Sequence, residues 1–136
     1  MNYPKQAIQK LGEMMDGDAA AFNWLMDKGY KALAMTGNAL GNSDSAYDWL
    51  VENKELTLVA FVSSIWSDRK AHAYLMQQKE FVLAATANAI NKDKAAMDWL
   101  QKYKMEEYIL LAEKILLKFK RESGSDAAVF FQGPFS

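Results

Sequence analysis

The chain carries few side chains able to do chemistry, and His72, its single histidine, heads them. An imidazole works as general base or metal ligand when carboxylates, thiols or further imidazoles converge on it. No such cluster accompanies His72. The chain has no cysteine, which also removes disulfides and thiolate chemistry. The carboxylate neighbours Glu106-Glu107 and Asp16/Asp18 are the other candidates for acid–base work. Adjacent helical residues point about 100° apart, so Glu106 and Glu107 do not share one site and instead suit the N-terminal end of a last helix. Ser63-Ser64 has no adjacent base to activate it, and no glycine-rich phosphate loop is present. Lys114, Lys118, Lys120 and Arg121 form a basic cluster that complements a helix C-terminus. The expectation is a chain with no catalytic residue, no metal and no cofactor, in which His72 is a packing residue.

What must position any of these groups is a repeat. Shifted by 25 residues, the chain falls on itself: Trp24-Leu25, Trp49-Leu50, Tyr74-Leu75 and Trp99-Leu100 share one register. Ala21, Ala46, Ala71 and Ala96 precede these aromatics by three residues, and Asp18, Ser43, Asp68 and Asp93 precede them by six. The units are 18–42, 43–67, 68–92 and 93–117, with no insertion or deletion. Pro4 to Met15 fits the second half of a unit, because Ile8 aligns with Leu33, Gly12 with Gly37 and Met15 with Leu40. A repeat of this length is the signature of a solenoid, in which each unit buries its apolar face against its neighbours.

Each unit divides into two short helices. Helix A begins at the capping column, whose side chains accept from free backbone N–H groups. It buries an Ala, aromatic, Leu stripe at i, i+3, i+4. Gly29 and Asn53 are the expected stops of the first two A helices. Helix B covers roughly 31–41, 55–66, 80–90 and 106–120, with core columns Leu33/Leu58/Leu83/Tyr108, Gly37/Val62/Ala87/Ala112 and Leu40/Ile65/Ile90/Ile115. The predicted fold is all-α: a right-handed α-α superhelix of four 25-residue helix pairs plus a half-repeat (4–17), with helix A convex and helix B concave. It is similar in architecture to the HEAT and armadillo solenoids, whose units are longer. The half-repeat is expected to cap one open end of the stack. An apolar tail, 125–136, follows a single domain at 1–124 and is expected to cap the other end near Ile115 and Phe119.

The bulk numbers narrow the function. Apolar residues make up 51% of the chain, ample for a core. Sixteen basic and 17 acidic residues leave a net charge of −1, which selects for neither nucleic acid nor an anionic membrane. No apolar run reaches transmembrane length, and a cytoplasmic setting is the simplest expectation. One feature exceeds what a core requires. The far side of helix B should be polar, yet it reads Met35/Ala60/Ala85 with Leu56 and Phe81, crossed by a polar row of Asn38, Ser63 and Asn88. A helix apolar all round is normally covered. Either the curvature or the tail buries this side within the chain, or it is a surface for a partner. The expected function is therefore a non-catalytic protein- or peptide-interaction module using Met35, Asn38, Leu56, Ala60, Ser63, Phe81, Ala85 and Asn88. A homodimer using the same face and a small-ligand binder or enzyme centred on His72 are the alternatives. Ala60→Glu separates open surface from core, since only a core would unfold.

Overall fold

The computed structural model describes residues 3–123. These residues form nine α-helices and no strand: α1 Lys5–Met15, α2 Ala19–Asp27, α3 Lys31–Leu40, α4 Asp44–Glu52, α5 Leu56–Ile65, α6 Arg69–Gln77, α7 Phe81–Ile90, α8 Lys94–Lys102 and α9 Glu106–Ser123. The tail at 125–136 lies outside the described residues.

Local chemistry starts and stops the helices as the register requires. Asp18, Ser43, Asp68 and Asp93 are the N-caps of α2, α4, α6 and α8, and each side chain accepts a backbone N–H of the first turn. The stops differ from expectation in one place. Asn53 keeps a negative φ at the C-cap of α4, and Lys54 takes the left-handed conformation at φ 58°. Lys79 and Lys104 do the same at 60° and 57°, where the first unit has Gly29 at 86°. The Glu55 N–H then reaches Leu50 O and the Lys54 N–H reaches Val51 O, a Schellman closure. That closure satisfies the last carbonyls well enough for lysine to hold a backbone that glycine holds without strain.

Two layers result. The odd-numbered helices lie inside, each packed on the next, and α2, α4, α6 and α8 lie outside, each against the two inner helices that flank it in sequence. Leu25, Leu50, Leu75 and Leu100 of the outer helices are fully buried, whereas the aromatic column beside them is half-buried. A buried column that the repeat analysis did not assign to the core runs through Leu11, Thr36, Phe61, Thr86 and Leu111. Its threonines fit because each hydroxyl donates to a carbonyl one turn back, Thr36 to Ala32 O at 2.8 Å and Thr86 to Val82 O at 2.7 Å.

The two ends of the array meet. Helix α1 does not cap an open stack; it packs along α9 as well as on α2 and α3, and the inner helices close into a ring. Small residues permit this close approach. A Cβ on Gly37 would stand 2.6 Å from Met14 Cε, and one on Gly12 would stand 3.3 Å from Lys114 Cδ. Charges close the seam: Lys114 pairs with Asp16, and Arg121 Nη2 donates to Met15 O at 2.9 Å. The basic cluster on α9 thus has a structural use. No helix among the described residues is long and apolar enough to cross a membrane.

Candidate binding groove

The far side of helix B is neither an open concave surface nor a sealed core. Each outer helix leans over one edge of it, so the face survives as separate grooves between successive outer helices. Over α5, between α4 and α6, Leu56, Ala60 and Ser63 line a cavity of about 330 Å³. Over α7, between α6 and α8, Phe81, Ala85 and Asn88 line one of about 360 Å³ with His72, Met76 and Trp99. Burial differs along the face. Leu56 and Phe81 are exposed, Met35, Asn38, Ala85 and Asn88 are half-buried, and Ala60 and Ser63 are buried at 6% and 4% exposure. Ala60 and Ser63 therefore do not stand open to a partner as expected. Met35 and Asn38 lie on α3 and join neither of these cavities.

Ser63 is buried for a specific reason. Tyr47, on α4, places its hydroxyl 2.8 Å from Ser63 Oγ. Its ring stacks on Trp66 at 6.3 Å between centroids. Residues sixteen apart, one in the outer-helix column Phe22/Tyr47/His72/Met97 and one in the polar row of the next inner helix, thus come together. In the first unit the corresponding pair is Phe22 and Asn38; in the third it is His72 and Asn88.

The third pair is the unusual one. His72 is half-buried, its Nδ1 is shut off from solvent, and that nitrogen has no hydrogen-bond partner. Asn88 is half-buried, and its carboxamide, without a hydrogen bond among the described residues, keeps access to solvent. Leaving the shut-off His72 nitrogen unpaired costs about 1–3 kcal/mol. Both side chains also border a second, more polar cavity of about 450 Å³ with Ser64, Asp68, Arg69 and Asn91. The serine, histidine and aspartate there are not joined as a nucleophile, base and orienting acid. The Asp68 carboxylate is taken up by the N–H groups of Lys70 and Ala71. Asn91 Nδ2 donates to Ala87 O at 3.2 Å and Ser64 O at 3.4 Å. No group of three or more His, Asp or Glu able to hold a metal occurs among the described residues.

A larger concavity, about 930 Å³, opens elsewhere, at the N-terminal ends of the inner helices. Tyr3, Tyr30, Glu80, Trp99, Glu107 and Tyr108 border it. Burial, then Glu107, Glu80 and Tyr3, push the Tyr108 phenol up to about 12. Burial, then Glu55 and Tyr30, raise that of Tyr3. The carboxylates belong to the N-caps of α5 and α7 and the first turn of α9. There they offset the positive ends of the helix dipoles, which gives their charge an internal use. The His72–Asn88 pair has no such internal use. The 25-residue register places both residues in columns, and the constant sixteen-residue offset between those columns is the signal in the sequence that joins them.

Comparison with family models, with curated proteins and with solved structures finds no match. The site is read from its own geometry.

Proposed function

We propose that this protein is a non-catalytic protein- or peptide-interaction module, built of four 25-residue helix pairs and a leading half-unit, that binds its partner in the groove over α7. The observation that carries this reading is the His72–Asn88 pair, left unbonded at the edge of an apolar groove flanked by exposed Phe81 and Met76. An apolar hollow with a few convergent polar groups is the usual form of a binding site. The groove over α5 has its polar row closed by Tyr47, which makes it the weaker candidate. For an enzyme centred on His72 the orienting carboxylate is missing, since Asp68, the acidic side chain of the polar cavity, is engaged in capping α6.

Selection of a displayed random peptide library on the purified full chain tests the reading. Peptides enriched on the wild type should bind Phe81→Ser at least about tenfold more weakly, a loss of ~1.4 kcal/mol, and Leu56→Ser with unchanged affinity. No enrichment, or loss of binding in Leu56→Ser alone, would refute it. Light scattering distinguishes the self-associating alternative: a dimer that Phe81→Ser dissociates would make a second copy the occupant.

A further inference from the structure

The apolar and polar cavities are two halves of one feature, because His72 and Asn88 line both. An apolar hollow over Phe81, Ala84 and Ala85 gives way at these two side chains to a hollow with hydrogen-bonding walls. Two groups of the polar wall are already engaged: Asp68 caps α6, and Asn91 donates to two carbonyls. The polar groups that a ligand in the apolar hollow also meets are those lining both cavities, the planar carboxamide of Asn88, with two donors and one acceptor oxygen, and the imidazole of His72. A half-turn about χ2, a broad and roughly two-fold torsion, exchanges His72 Nδ1 with Cδ2 and brings the shut-off nitrogen to the other ring edge.

The chemistry that matches is a peptide group beside an apolar side chain. A carboxamide takes the N–H and C=O of one residue of an extended chain together, because these two groups, from adjacent trans peptide units, point to the same side. An anionic ligand has little to hold it, since the basic residue of the polar cavity, Arg69, is accompanied there by Asp68. We infer that the groove over α7 takes a linear peptide segment, with one apolar side chain seated against Phe81, Ala84 and Ala85 and its peptide group held by Asn88 and His72. This rests on the binding-module reading above and adds the register and the recognised group.

The test uses the ¹⁵N-labelled full chain and N-acetyl-leucine methylamide, which carries an apolar side chain between two peptide groups. Expected are shifts of the Phe81 and Ala85 amides, the Asn88 side-chain amide and the His72 ring nitrogens along one binding curve. N-acetyl-glycine methylamide should bind about tenfold more weakly. His72→Phe and Asn88→Ala, each checked for an unchanged helical spectrum, should weaken the leucine compound by a similar factor. Shifts of Phe81 and Ala85 with a silent His72 ring, and full affinity in His72→Phe, would overturn the subsite while leaving the groove as a binding surface. No shifts in the groove at the solubility limit would overturn both readings. The ring-nitrogen signal belongs to the wild type, so it decides the matter even if a variant misfolds.

Discussion

The grooves over α5 and α7 are the same piece of architecture in different chemical states. Over α5, Tyr47 bonds Ser63 and stacks on Trp66, so a polar residue at the floor is satisfied and covered. Over α7 the corresponding residues are His72, Asn88 and Asn91. Asn91 turns to backbone carbonyls, and His72 Nδ1 and the Asn88 amide are left over. The helices around both grooves start on the same kind of cap and end on the same left-handed residue. Backbone geometry is therefore held constant while the side chains change, Tyr47, Ser63 and Trp66 giving way to His72, Asn88 and Asn91, and Leu56 and Val59 to Phe81 and Ala84. Such a difference separates what the fold needs from what it does not: the fold is complete with the α5 pattern, and the α7 pattern leaves one buried ring nitrogen unpaired at a cost in stability.

The largest test of the comparison is a charge placed on each floor. Ala60 is buried and Ala85, one repeat on, is half-buried. Ala60→Glu should destabilise by about 3–5 kcal/mol, as an uncompensated buried charge does. Ala85→Glu should stay within about 1 kcal/mol of wild type, as a surface change does, while blocking the groove. Urea melts of the two variants decide it, and equal losses would mean that the grooves do not differ in openness.

A smaller effect isolates the hydrogen bond that closes the α5 groove. Tyr47→Phe removes the partner of the buried Ser63 hydroxyl and should cost about 1–3 kcal/mol. Adding Ser63→Ala to that variant removes the orphaned group and should recover most of the loss, because deleting both partners of a buried bond is far cheaper than deleting one. Absence of recovery would show that Tyr47 acts through ring packing alone.

These differences also mark how far the sequence could be read. The all-helical architecture was legible because caps and apolar stripes obey short-range rules, and Asp18, Ser43, Asp68 and Asp93 sit where those rules put them. Ring closure was not legible. It depends on the angle between successive inner helices, and column volumes alone do not yield an angle. The apolar far side of helix B was recognised as unusual, but its exposure was undecided, since it turns on where the outer helices lean. His72 was assigned to packing by its column. The partner sixteen residues away belongs to the next helix, and only tertiary structure shows that the Tyr47–Ser63 pair bonds and the His72–Asn88 pair does not.

The subtlest variant exchanges one chemical state for the other. His72→Tyr with Asn88→Ser installs the α5 pair in the α7 groove. The backbone needs no change, since the two positions hold the same register on equivalent helices. The hydroxyl of the incoming tyrosine meets the incoming serine, and the unpaired ring nitrogen and carboxamide both disappear. Removing the orphans and making one neutral hydrogen bond should stabilise the chain by about 1 kcal/mol; Trp66 has no counterpart here, so the stacking part of the α5 arrangement is not gained. The same variant should lose affinity for any peptide that the wild type selects, which is the trade expected where a site holds groups in reserve for a ligand. His72→Phe alone separates the contributions, giving part of the stability gain from the ring nitrogen and keeping Asn88. A double variant no more stable than wild type by chemical melting, and still binding, would show that the pair over α7 carries neither a stability cost nor a recognition role.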